Sequence, residues 1–144
     1  MNDRYICRGK RKDNDEWVEG VAIFADNKAF ILNNAKVEFI KGFNENRLNF
    51  VLVEVIPETV RQCANLKDKN GKLIYEGDLL RFTNSDNEQS IYKVFYDDVY
   101  AGYRIQEIGL GGLDEMSNWE DSREYFEVIG NIHDDNPELL EAER

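Results

Sequence analysis

Apolar residues recur along this chain in short alternating runs of about five to nine positions, separated by Asn, Asp, Gly and Pro. Alternation at a period of two places successive side chains on opposite faces of an extended strand, and small polar residues between runs favour turns. Arg4 to Arg11 reads as a first strand, with Lys12 to Asp15 as its turn. Trp17 to Ala25 is a second, interrupted at Glu19-Gly20. Asp26-Asn27 reverses the chain, Ala29 to Leu32 pairs back, and Asn33-Asn34 predicts another turn before a half-buried strand at Ala35 to Lys41. Gly42 to Arg47 reads as a polar loop, and Leu48 to Ile56 is the most apolar strand, ended by Pro57. Thr59 to Cys63 suits either a short strand or one helical turn.

The second half continues the pattern. Asn70-Gly71 is the strongest turn signal and predicts the tip of a tight hairpin. Leu73 to Tyr75 then extends, Gly77 predicts a bend or bulge, and Leu79 to Phe82 begins a further strand. Thr83 to Gln89 is a polar loop, Ser90 to Tyr96 is apolar on both faces, and Asp97-Asp98 turns into a strand at Tyr100 to Ile108. Gly109 to Asp121 is the longest irregular connection before a last strand at Tyr125 to Ile132. Asn136-Pro137-Glu138 is arranged to start a short C-terminal helical turn: a capping Asn, Pro at the first helical position and an acidic residue at the positive end. The periodicity alone predicts a mainly β protein, either a sandwich or a small barrel.

Three segments bear a further resemblance. Arg8–Gly20 (RGKRKDNDEWVEG), Leu66–Leu80 (LKDKNGKLIYEGDLL) and Val128–Leu140 (VIGNIHDDNPELL) occur in the order and at the places found in the YopX family of phage and prophage proteins, which this chain resembles over nearly its whole length. Two departures are Ala64-Asn65, where the family often has Thr-Gly, and one extra Asp in the last segment. The resemblance implies a small N-terminal β subdomain at 1–60, followed by an SH3-like barrel at 61–144, or one continuous domain. It implies no particular activity. It places the protein in the cytoplasm of a bacterial host, and the sequence fits: no apolar run approaches a membrane span, and the first residues lack a secretory signal pattern.

Charge changes the picture more than overall composition does. The 144 residues carry a net charge of −11, distributed as +2 over residues 1–72 and −13 over residues 73–144. So acidic a second half repels phosphate, and nucleic acid is not an expected partner there. Arg4, Arg8, Lys10, Arg11 and Lys12 form a basic cluster that suits a solvated strand edge better than a phosphate track, because acidic residues follow at once. Cys7 and Cys63 lie singly in strand-like runs, which suits reduced thiols and offers no zinc spacing.

Candidate chemistry is sparse. Asp68-x-Asn70-Gly71 copies the middle of a calcium loop, but the first ligand position falls on Leu66 and the closing one on Gly77, so a structural turn is expected and no metal. His133, the single histidine, has only its sequence neighbours Asp134 and Asp135 beside it and reads as a polar residue at a strand end. Gly109-Leu110-Gly111-Gly112 fits neither phosphate-binding fingerprint and is followed by acids. Paired carboxylates are too common here to mean catalysis. No enzyme activity and no cofactor are expected. The aromatics stand out instead: Tyr92, Tyr100, Tyr103 and Trp119 are the candidates for a partner-binding face, with Trp119 on a mobile loop. The reading is a non-enzymatic protein-interaction or self-assembly module, with a protein partner or a homo-oligomer and no membrane. Its alternatives are an acidic decoy imitating nucleic acid, and a nucleic-acid accessory protein using the basic first strand.

Overall fold

The structure, a computed structural model, describes residues 5–40, 42, 45–109, 112–116 and 119–134, without the side chains of residues 35, 37–40, 45 and 113. The chain is mainly β, with every strand pairing among the described residues antiparallel, and its described residues divide into two compact units, one within Arg4–Gln62 and one within Cys63–Arg144.

In the N-terminal unit, β1 (Cys7–Lys10), β2 (Trp17–Ala25), β3 (Lys28–Ile40) and β4 (Glu45–Val55) lie in the order β4-β3-β2-β1. A 3-10 turn at Pro57–Thr59 leads into β5 (Arg61–Lys67), whose first two residues pair with β1. Both alternatives left open for residues 59–63 therefore occur in succession. The turn expected at Asn33-Asn34 does not divide β3. Asn34 adopts φ +52°, and the register against β4 shifts between Asn33 and Lys36, so the strand absorbs the irregularity as a bulge. Glu45 already pairs with Ile40, which extends β4 into the expected loop. Gly20 marks where β2 changes partner, from Cys7 of β1 to the β3 pairing that starts at Val21 and Leu32. A Cβ there would lie 2.1 Å from the Leu32 carbonyl oxygen, so only glycine permits the approach. Val18, Ala29, Ile31 and Val55 form the buried core of this unit.

In the C-terminal unit, the remainder of β5 pairs with β6 (Leu73–Tyr75), and the hairpin between them turns at Gly71 (φ +79°). Next come β7 (Asp78–Thr83), β8 (Gln89–Asp97), β9 (Gly102–Glu107), β10 (Leu113–Glu115), α1 (Trp119–Ser122), a 3-10 turn at Arg123–Tyr125 and β11 (Phe126–Asn131). The sheet order is β10-β9-β8-β7-β11; it is open, with β10 and β11 at its edges. The expected irregular connection thus contains a strand and a helical turn. Tyr100 lies in the β8–β9 turn rather than in a strand. Ile74, Leu80, Val94, Ile105, Met116, Trp119, Phe126 and Val128 make the core. The expected helical turn at 136–142 lies outside the described residues.

The second and third resembling segments meet in this unit. Asp68 is buried: Oδ1 accepts the N–H groups of Asn70 and Lys72, and Oδ2 accepts that of Val128, each at 2.9 Å. Asp78, also buried, accepts the Tyr75 N–H at 2.8 Å through Oδ2 and the Asn131 amide at 3.0 Å through Oδ1. Gly77 (φ +85°) makes the bend between β6 and β7, donating to the Val94 carbonyl and accepting from Ile132 N–H. The motif residues therefore tie the turn to the closing strand.

Candidate functional site

Two surfaces stand out, one in each unit. The first is the outer face of the N-terminal sheet. Cross-strand register places Val21, Leu32 and Leu52 in one row and Ile23, Phe30 and Glu54 in the next, while Leu48 and Phe50 continue the same face along β4. The opposite face presents Ala22, Ile31 and Val53, then Ala29 and Val55, to the core. A sheet that buries one face ordinarily makes the other polar. Here Val21 is 54%, Leu48 50%, Phe50 47% and Leu52 46% exposed. Among the described residues the outer edge of β4 is engaged only at its end, where Arg11 bridges Val55 and Lys12 N–H donates to the Glu54 carbonyl.

The second surface is an aromatic cleft of about 430 Å³ in the C-terminal unit, lined by Phe82, Tyr92, Ile105, Asp114, Glu115, Trp119, Ser122, Tyr125 and Phe126. Phe126 sits in the middle of its floor, with ring centroids 4.9 Å from Trp119, 5.1 Å from Phe82 and 5.9 Å from Tyr92. Tyr92 and Phe82 meet edge to face, and Tyr125 extends the wall 6.0 Å beyond Phe82. Burial pushes the Tyr92 phenol above its ordinary range, and the carboxylates of Glu107 and Asp114 push it further. The Tyr125 phenol is raised by its hydrogen bond to Glu124 and by that residue's charge.

Of the four aromatics singled out from sequence, the cleft brings together two, Tyr92 and Trp119. Trp119 is not on an exposed loop. It is 4% exposed, and its Nε1–H donates to the Lys67 carbonyl at 2.6 Å, because α1 folds the indole onto the core. Tyr103 pairs edge to face with Tyr96 at 5.3 Å. Tyr100, exposed in the turn, lies under the Arg104 guanidinium at 5.2 Å, and Asp97 holds that guanidinium at 3.2 Å. Sequence reasoning singled out neither Phe82 nor Phe126. Their signal is the parity of Phe82 and Phe126, which are directly paired across β7 and β11.

The described cations of the basic first strand are engaged in contacts within the chain, those of Arg11 and Lys12 at the surface. Arg8 and Lys10 lie over the Trp17 ring at 4.5 and 5.4 Å, Arg11 is bidentate to Asp13, and Lys12 pairs with Glu54; Arg4 lies outside the described residues. His133 is half-buried just past β11, its backbone N–H donating to Asn131 Oδ1 at 3.0 Å. Neither Cys7 nor Cys63 is in a disulfide, and the buried Cys63 Sγ accepts the Asn65 N–H at 3.3 Å. Among the described residues no cluster of His, Cys, Asp and Glu could hold a metal ion, and no helix is long and apolar enough to cross a membrane.

A family model described as YopX protein matches residues 7–141. No curated protein matches the chain. Among solved structures, the crystal structure of protein EF1440 from Enterococcus faecalis superposes with a TM-score of 0.65 at 23% identity, covering 93% of this chain and 96% of that one. At that identity the likeness extends to the fold alone.

Proposed function

The chain belongs to the YopX family, and from that premise we propose that it is a non-enzymatic protein-interaction module that self-associates through its N-terminal sheet. One observation carries the reading: an apolar outer sheet face that runs up to the open edge of β4. The five most exposed apolar side chains of this face leave on the order of 400 Å² uncovered, within the roughly 300–600 Å² of a typical monomer's largest patch, which is often functional. Short of its end at Glu54 and Val55, the outer edge of β4 pairs with no strand among the described residues, so a second copy can add one in register. Adding the flanking strand surface brings the area toward the roughly 800 Å² per partner of a stable dimer.

In the same reading the C-terminal unit is an SH3-like barrel with its seam open between β10 and β11. Its support is the order of strands: a β7–β10 meander, a 3-10 turn, and a last strand returning beside the first. The cytoplasm of a bacterial host carrying a phage or prophage remains the setting that the family resemblance suggests.

Size exclusion coupled to light scattering, at low and high salt, tests the self-association. The expected result is a dimer or larger assembly that persists at high salt, because apolar burial is not screened. A monomer at high micromolar concentration overturns it.

A further inference from the structure

The aromatic cleft combines two features that independently favour a cation. Its walls are aromatic, with the rings of Phe82, Tyr92 and Tyr125 around the buried Phe126 and Trp119, and an aromatic ring attracts an ammonium or guanidinium through its quadrupole. Its rim carries Asp114 on β10, on the same face as buried Ile105 opposite it, with Glu107 beside Tyr92 on the neighbouring strand. Asp114 makes no ion pair among the described residues. Two arginines close by in sequence have carboxylate partners of their own: Arg104 pairs with Asp97 at 3.2 Å and Arg123 with Glu120 at 3.4 Å. The molecule uses the same chemistry internally, with guanidinium groups over Trp17 and over Tyr100.

We propose that this cleft receives an arginine or lysine side chain from a basic, extended segment of a protein partner. Charge complementarity selects the sign: residues 73–144 carry −13, so a basic segment is steered toward this half and an acidic one is repelled. Strand geometry selects the extended form. Among the described residues β10 pairs only with β9, so its outer edge is open to an added strand whose alternate side chains point into the cleft. At about 430 Å³ the cleft is within the range of small-ligand sites and accommodates one long cationic side chain with neighbouring backbone. Buried Phe126 and Trp119 provide the floor, and Tyr125, 40% exposed, forms the outer wall. This site is separate from the self-association proposed above, which involves β2, β3 and β4.

The test is an NMR titration of the full chain with a blocked hexapeptide of alternating arginine and glycine, and with a second peptide in which glutamate replaces arginine. The expected result is saturable shifts at the Trp119 indole N–H and at the amides of Asp114 and Tyr125 with the arginine peptide only. The carboxylate variant Asp114→Asn weakens that binding about fivefold. Tyr125→Leu, which keeps apolar bulk against Phe82 but removes the π face, weakens it by a factor of about ten. Light scattering of both variants matches that of the parent. Absence of saturation at millimolar peptide overturns the proposal, as does unchanged affinity in the carboxylate variant. Loss of binding in the carboxylate variant with full retention in Tyr125→Leu also overturns it, by showing a general acidic surface rather than this cleft.

Discussion

Asp68 shows how a residue that looks like a ligand in sequence serves as a joint in the fold. Its carboxylate accepts three backbone N–H groups, two from its own turn and one from Val128, sixty positions away. Charge-assisted bonds of this kind leave little lone-pair capacity for a metal. Asp68→Ala orphans all three donors, each costing roughly 1–3 kcal/mol when buried, and the expected loss is about 3 kcal/mol or more in chemical denaturation. A loss below about 1 kcal/mol would mean water replaces the carboxylate, and the joint is not structural. Gly77 belongs to the same joint: at φ +85° a Cβ would lie 3.2 Å from the Asn131 amide nitrogen and 3.3 Å from Ile132 Cγ1.

At the scale of an element, the β8–β9 hairpin is held by one side chain and strained by another. Asp97 Oδ1 accepts from Val99 and Tyr100 N–H at 3.0 and 3.2 Å, and Oδ2 from Arg104 at 3.2 Å. The Tyr100 N–H is the main reason that its carboxyl titrates below the ordinary carboxylate range, with Arg104 and Val99 adding to it. A carboxyl whose pKa is lower folded than unfolded stabilises the fold above the unfolded value, near pH 4, and that contribution fades as pH falls through the folded value. The stability difference between parent and Asp97→Asn is therefore expected to be flat above about pH 5 and to shrink in acid below about pH 4. Denaturation curves across that range check it, and a difference that grows in acid would contradict the assignment. Ala101, at φ +59°, occupies the left-handed region with a Cβ. Ala101→Gly relieves that strain at some cost in unfolded-state entropy, so melting should rise by the equivalent of about 0.5 kcal/mol. A fall in melting temperature would show that the turn is not held in this conformation.

For the whole molecule, the question is what covers the apolar face of the N-terminal sheet. Phe50→Lys with Leu52→Lys places two charges on that face without touching the core of Val18, Ala29, Ile31 and Val55. The expected outcome is a shift to monomer in light scattering, with folding stability changed by no more than about 1 kcal/mol for two exposed sites. An assembly that survives both charges would place the interface elsewhere. A monomeric parent that the substitutions leave unchanged would remove the self-association reading.

Local physics was legible in the order of residues. Period-two alternation marked the strands from Trp17 to Val55 and from Asp78 to Glu107, Asn70-Gly71 marked the hairpin, and Gly77 the bend, because each depends on a side chain and its immediate backbone. Those cues could not say which of two faces is covered, since alternation sorts residues by parity and not by neighbour. The exposed face of β2, β3 and β4 is therefore visible only in register. Asn33-Asn34 misled for a related reason: its turn propensity was overruled by pairing along β3, which turned it into a bulge. Burial of Trp119, the joining of Asp78 to Asn131, and the gathering of Phe82, Tyr92, Tyr125 and Phe126 into one cleft all depend on segments distant in sequence. Such contacts form only when the β7–β11 pairing closes a loop of more than forty residues, and nothing local to either end encodes it.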